Sequence, residues 1–188
     1  MGKSILILNG SPRDKGNSAT LANQLALGAK ESDAEIESIY LHDMDIRPCD
    51  ACDFCQEDGN GCVIADDMQT LYPKLRTADV IVLATPVYWF SLPAQLKLCI
   101  DRWYAMELPT GFELAGKKLA LVMAYGDTDL YTSGGINVIY TLESICRYTH
   151  LELAGIVHGT ANDIGDAEKQ TALMEQAFQL GQKLATES

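Results

Sequence analysis

The segment Gly10-Ser11-Pro12-Arg13-Asp14-Lys15-Gly16-Asn17-Ser18 gathers two serine hydroxyls, a guanidinium and two turn-forming glycines directly behind a short apolar run. Backbone N–H groups in such a turn, with the hydroxyls of Ser11 and Ser18, can surround a phosphate at the positive end of a helix. Arg13 adds a planar donor suited to phosphate oxygens. The common nucleotide fingerprints are absent, because Asn17 stands where a P-loop carries lysine and there is no G-x-G-x-x-G. The alternative is an ordinary polar turn with Ser18 as a helix N-cap.

Two further groups of residues carry chemistry. Cys49-x2-Cys52-x2-Cys55-x6-Cys62 places four thiols in one loop. Such a set suits a 4Fe-4S cluster, in which each iron takes one external ligand. Zinc also takes four thiolates, and free thiols or a reversible disulfide pair are the third reading. Two-residue gaps followed by a fourth cysteine resemble ferredoxin spacing more than a zinc ribbon. Cys99 and Cys146 stand alone in apolar patterns and read as small buried hydrophobes. The other group is Tyr88-Trp89-Phe90, three consecutive aromatics at the end of an apolar run. They cannot all face a core, so they serve a flat ligand or another subunit. His42, His150 and His158 show no triad-like arrangement, and no catalytic acid or base is assigned.

The elements that must position these groups alternate along the chain. Ser4–Leu8, Ile36–Leu41, Val80–Ala84, Leu119–Ala124 and Leu151–Val157 read as strands, mostly as continuous apolar runs buried on both faces. Helical spacing follows from Ser18, after Asp66-Asp67, after Ser91 (a candidate cap, with Pro93 in the first turn), over Ile136–Tyr148, and through Leu173, Ala177, Leu180 and Leu184. Five strands with helical crossovers predict an α/β fold: a doubly wound, five-stranded parallel sheet, most economically of order 2-1-3-4-5, with helices on both faces. Ligands in such folds bind beyond the carboxyl ends of the strands at the switch point. The candidate loops are therefore 9–17, 85–92 and 125–135.

Composition bounds the partners. The 188 residues are 47% hydrophobic and 21% charged, as expected of one globular domain over 1–188 with a cysteine-rich loop at 49–62. A chain of this size buries roughly 70% of its unfolded surface and needs no disulfide framework. A net charge of −12 with no basic run argues against nucleic-acid and membrane-surface partners. The apolar stretch 80–90 is broken by Thr85 and Pro86 and falls short of the ~20 residues of a spanning helix. The first residues read as a strand without a small-residue cleavage site, so the expected location is cytoplasmic.

Gly-Ser-Pro-Arg followed by Gly-Asn-Ser resembles the phosphate loop of the flavodoxin-like NAD(P)H-dependent FMN reductases. The run from Pro86 to Lys97 and the following Ile100-Asp101-Arg102 resemble their second FMN loop and its helix. The resemblance covers essentially the whole chain. It implies FMN with its phosphate on Ser11, Arg13, Asn17, Ser18 and the backbone of Ala19. The flavin ring would lie against Pro86, Val87, Tyr88 and Trp89, with Gly126 and Asp127 approaching it from the third loop. The compact cysteine motif resembles that of the iron–sulfur flavoproteins, a branch of the same fold, which implies a cluster on Cys49, Cys52, Cys55 and Cys62. The implied activity passes electrons from NAD(P)H through FMN to a small-molecule or protein acceptor, and the implied assembly is a homodimer or homotetramer. The rival readings are a non-enzymatic electron carrier, like flavodoxin or ferredoxin, and a thiol or metal redox sensor on an inherited scaffold.

Overall fold

Apolar runs of five to seven residues with no polar face can satisfy their backbone only inside a sheet covered on both sides. The computed structural model, which describes residues 2–57 and 61–187, builds that arrangement. Its strands are β1 (Ser4–Asn9), β2 (Glu35–Tyr40), β3 (Val80–Pro86), a two-stranded hairpin β4 (Glu107–Leu108) and β5 (Gly111–Phe112), β6 (Lys118–Tyr125) and β7 (Glu152–Thr160). The helices are α1 (Asn17–Lys30), a single turn α2 (Phe54–Glu57), α3 (Met68–Thr77), α4 (Ala94–Asp101), α5 (Gly135–Thr149) and α6 (Thr171–Thr186).

The large sheet is parallel in the order β2-β1-β3-β6-β7. Counted among its own five strands this is 2-1-3-4-5, the expected flavodoxin-like topology. Alternation along the strands divides the core into two layers. Ile5, Ile7, Val80, Val82, Ala120 and Val122 pack under α1 and α6. Leu6, Leu8, Ile81, Leu83, Leu119 and Leu121 pack under α3, α4 and α5. Each leucine buried in these layers contributes roughly 1.5–3 kcal/mol relative to exposure. Helices α1 and α6 approach closely because Gly28 lacks a side chain; a Cβ there would lie 2.0 Å from the Phe178 carbonyl oxygen.

Three local expectations change. Helix α1 begins at Asn17, with Gly16 rather than Ser18 at its cap. Helix α4 begins at Ala94 after Pro93, and Ser91 does not cap it. Ser91 instead exchanges backbone hydrogen bonds with Tyr88, both at 3.0 Å, which closes a two-residue turn and takes it out of reach of the helix. The small hairpin β4–β5 has no clear periodic signal, because two-residue strands are too short to show one. Cys99 and Cys146 are core residues as expected, and burial pushes their thiols up to about 12 and about 11. Among the described residues, no helix is long and apolar enough to cross a membrane.

Candidate functional site

The carboxyl ends of β1, β3, β6 and β7 open onto one cleft. At its floor, the chain leaves β1 through Gly10, whose N–H donates to the Ala84 carbonyl of β3 at 2.8 Å. That bond ties the first loop to the neighbouring strand at the switch point. Ser11 is buried and its Oγ accepts the N–H of Arg13 at 3.1 Å. Gly16 offers no side chain to cap α1, so the N–H groups of the first turn face the cleft with no side-chain acceptor from the cap. A helix of fourteen residues concentrates roughly half a positive charge there. Ser11, Arg13, Gly16, Asn17 and Ser18 line this end of a cavity of about 240 Å³. Ala19 is buried within α1 and does not line it.

The Asn17 side chain also has a structural use. Its Nδ2 donates to the carbonyls of Ala161 and Asp163 at 3.1 and 2.9 Å, and its Oδ1 accepts the Ala167 N–H at 3.1 Å. The amide side chain thus clamps the loop after β7 onto the start of α1. Only the backbone N–H of Asn17 is left for an anion. This clamp brings Ala161 and Asn162 into the cavity wall. Neither was expected, because nothing in their types or spacing marks a site; the buried polar residue Asn17 was the available signal.

The opposite wall is the turn after β3. Pro86, Val87 and Tyr88 line the same cavity, and Val87 is fixed by its N–H to the Ala124 carbonyl at 3.0 Å. Trp89 and Phe90 form the two centre positions of the Tyr88–Ser91 turn and both have left-handed backbones, φ 43° and 63°. Two consecutive positive φ angles are the pattern of a type I′ turn, which ordinarily uses Asn-Gly. Here the conformation is held from outside. Asn137 Nδ2 donates to the Phe90 carbonyl at 3.0 Å. Gly134, itself at φ 77°, lets α5 approach so closely that a Cβ would stand 2.4 Å from the Phe90 Cβ. The result projects Trp89 into solvent at 91% exposure, with Tyr88 and Phe90 about half exposed. Trp89, Phe90 and Asp127 line a second cleft that shares Val87, Tyr125 and Gly126 with the first.

Tyr125 ends β6 between the two clefts, and its hydroxyl pairs with His158 Nδ1 at 3.0 Å. Burial raises the tyrosine's pKa, with Asp129 adding to the effect, and burial lowers that of His158. Both therefore favour their neutral forms. The sequence reading placed Tyr125 only as the first residue of a loop.

The cysteine segment lies below the α3–α4 face, apart from this cleft. Cys55 is buried on α2, Cys62 is half-buried against the core, and Cys49 and Cys52 are exposed. All are free thiols, and among the described residues no group of three or more ligands converges as a ready-made metal site. The backbone explains the separation. Ala51 and Asp53 take left-handed φ angles of 54° and 55°, which turn the chain between Cys49 and the buried helix turn of Cys55. The structure places Cys55 and Cys62 together against one core layer and leaves Cys49 and Cys52 outside. Burial pushes the Cys55 thiol up, and the neighbouring Cys62 and Cys49 add to it. The four sulfurs fit an iron–sulfur centre in donor chemistry, with Cys49 and Cys52 exposed to solvent.

One end of this segment is anchored in an unusual way. Arg102, only 1% exposed, pairs with the buried Asp66, Nη1 to Oδ2 at 2.5 Å. It also donates to the Arg47 carbonyl at 2.9 Å and to Cys62 Sγ at 3.1 Å. Burial disfavours the charge on Asp66, but the hydrogen bond from Arg102 and the N–H groups of Arg47 and Met68 outweigh it and hold the carboxyl below its ordinary range.

Comparison with known proteins agrees with this architecture. The family profile described as NADPH-dependent FMN reductase matches residues 4–160. An iron-sulfur flavoprotein of Methanosarcina thermophila is 32% identical over 182 residues, 94% of this chain and 91% of that protein. An iron-sulfur flavoprotein of Methanocaldococcus jannaschii is 37% identical over 113 residues, 60% of this chain but only 57% of that protein. In structure, the NAD(P)H:quinone oxidoreductase of Methanothermobacter marburgensis superposes with a TM-score of 0.75 over 100% of this chain and 98% of that one, at 18% identity. With the profile spanning β1 through β7, the chain belongs to the NADPH-dependent FMN reductase family.

Proposed function

We propose that the chain binds FMN in the cleft at the ends of β1, β3 and β6 and acts as a flavin oxidoreductase drawing electrons from NAD(P)H. The observation that carries this reading is the uncapped amino end of α1, faced by the buried Ser11 and Ser18 and by Arg13, opposite a rigid aromatic turn. The N–H groups of Asn17, Ser18 and Ala19 and the two hydroxyls hold the phosphate, and Arg13 adds charge in a chain that is otherwise acidic. Pro86, Val87, Tyr88 and Trp89 flank the ring, with Gly126 and Asp127 at its polar edge. Bound FMN supplies the chemistry itself, accepting hydride and releasing electrons singly or in pairs. The protein's part is to orient the ring and to keep Tyr125, hydrogen-bonded to His158, neutral at the cleft.

Cys49, Cys52, Cys55 and Cys62 hold a 4Fe-4S centre in this proposal, which gives electrons a one-at-a-time exit. Its support is the four-thiol donor set and the placement of Cys55 and Cys62 beside α4, the helix that follows the flavin turn. Assembly as a homodimer or homotetramer and a small-molecule or protein acceptor complete it. Anaerobic purification followed by FMN titration and analysis for iron and acid-labile sulfide tests both parts. Flavin absorbance at one FMN per chain, bleached by NADPH or NADH, is expected. A protein that gains no flavin on titration overturns the first part, and flavin binding with no iron or sulfide overturns the second. Flavin that is bound but bleached by neither nucleotide would turn the reading towards an electron carrier.

A further inference from the structure

A buried arginine–aspartate pair is a poor source of stability, because desolvating both ions offsets most of their attraction. The Arg102 and Asp66 side chains nevertheless lie 1% and 0% exposed, and their hydrogen bonds reach Arg47, Cys62 and Met68, at and just beyond the two ends of the cysteine segment. Arg102 Nη1 holds the Arg47 carbonyl before the first cysteine, and Nη2 donates to Cys62 Sγ at the last. Asp66 accepts the N–H groups of Arg47 at 2.9 Å and Met68 at 3.1 Å. The pair therefore clips together the two ends of the segment, from a position directly after α4. A neutral thiol is a weak acceptor; a guanidinium aimed at sulfur from 3.1 Å is suited to a sulfur carrying negative charge, as a metal-bound thiolate does. Among the described residues, Arg102 Nε has no hydrogen-bond partner.

We propose that Arg102 is a positioning residue for the iron–sulfur centre: its guanidinium presents Cys62 Sγ as a ligand and, by donating to that sulfur, raises the centre's reduction potential. The inference rests on the four-cysteine reading above. Partners outside the ligand set commonly orient ligands in this way, and hydrogen bonds to the sulfurs are among the recognised controls of cluster potential. A donor stabilises the reduced, more negative centre more than the oxidised one, which fixes the direction. Asp66 opposes part of that effect through its own charge while it holds the guanidinium in place.

The test compares anaerobically purified wild type, Arg102→Lys, Arg102→Gln and Asp66→Asn. FMN content and circular dichroism check folding, iron and sulfide analysis reports the centre, and an EPR-monitored titration gives its midpoint. Loss of the donor in Arg102→Gln should shift the one-electron equilibrium about tenfold towards the oxidised centre, about 59 mV lower. Arg102→Lys, which keeps a cation without the planar fork, should shift it less in the same direction. Asp66→Asn, which leaves the donor and removes the opposing charge, should shift it upward. Opposite signs from the two partners support the inference, since a clip that is only structural would lower occupancy in all variants and move no potential. A midpoint unchanged in whichever variants fold and retain the centre overturns it. Should the arginine variants not fold, Asp66→Asn decides alone, its midpoint rising or not. A wild type holding FMN but no iron or sulfide overturns the four-cysteine reading and this inference with it, a result distinct from an unshifted centre.

Discussion

The α1 end of the cleft, proposed above to hold phosphate, and the cysteine segment are built on opposite principles. The first uses backbone donors, the amino end of α1, whose positions follow from the helix itself and whose orientation is complete without a ligand. The second uses side-chain donors on an irregular segment, two sulfurs packed against the core and two outside it. Rigid elements bring the cleft together: Gly10 is bonded to β3, Asn17 to the loop after β7, and Asn137 to the aromatic turn. The cysteine segment is held by the Arg102–Asp66 pair at its ends and by side-chain amides, Gln69 Nε2 donating to the Cys62 carbonyl at 2.8 Å and Gln56 Nε2 to the Tyr104 carbonyl at 2.9 Å. A regular fold can preorganise a phosphate site at little extra cost, whereas a four-sulfur site must be gathered by whatever it binds.

The largest expected effect breaks that comparison at the buried ion pair. Asp66→Ala leaves Arg102 buried without its counter-charge and should cost about 3–5 kcal/mol of folding stability. Chemical denaturation measures it. FMN affinity of the folded variant should be unchanged, since no element of the cleft depends on the pair; a matching loss of FMN binding would show the two regions to be coupled. The same carboxyl predicts an acid response. The folded-state pKa of Asp66 lies below its ordinary value of 3.8. Its contribution to stability is therefore present above that value and is lost as pH falls through the folded-state pKa. Denaturation midpoints measured from pH 5 downward should fall more steeply for wild type than for Asp66→Asn.

Next in size is a change on the cleft side. Gly134→Ala places a Cβ against Phe90 and demands a left-handed backbone of alanine. The conformation alone costs roughly 1–2 kcal/mol, and relief of the clash must move the Trp89–Phe90 turn. FMN affinity should weaken about tenfold, roughly 1.4 kcal/mol, read by fluorescence titration. Ser11→Ala should weaken FMN by a similar amount through one lost charge-assisted hydrogen bond, roughly 1.5–3 kcal/mol at most, without moving the turn. Equal losses of folding stability in the two variants would argue against separate roles.

What could be read from the sequence follows the same division. The sheet strands were legible mostly as apolar runs against polar loops, β2 with its Glu-Ile-Glu-Ser-Ile-Tyr being the exception, and their order followed from the handedness of crossovers. Ser11, Arg13, Gly126 and the aromatics were legible as residues at strand ends, where such folds bind ligands. The clamp made by the Asn17 side chain was not legible, since spacing along the chain does not show that Ala161, Asp163 and Ala167 lie within reach of its amide. Ser91 looked like a cap because its type fits one; its backbone was already engaged with Tyr88. The cysteine spacing was visible, but the arginine forty residues further on that reaches Cys62 was not. Long-range polar contacts have no periodicity, so local pattern cannot find them.

The smallest expected change in stability is the most informative about the cleft. Trp89 is 91% exposed at φ 43°, so its ring stabilises little and its backbone is strained. Non-glycine residues in this region cost of order 1–3 kcal/mol and persist where the surroundings impose them. Trp89→Asn puts a residue that tolerates the left-handed region into the same turn. Its folding stability should stay within about 0.5 kcal/mol of wild type or rise slightly, as for exposed positions generally. FMN affinity or the rate of flavin reduction should fall, because the aromatic face has gone. A clear loss of stability with unaltered flavin binding would make the tryptophan a structural part of the turn. The predicted pattern instead identifies the strain as the means by which a rigid aromatic is held out beside the cleft.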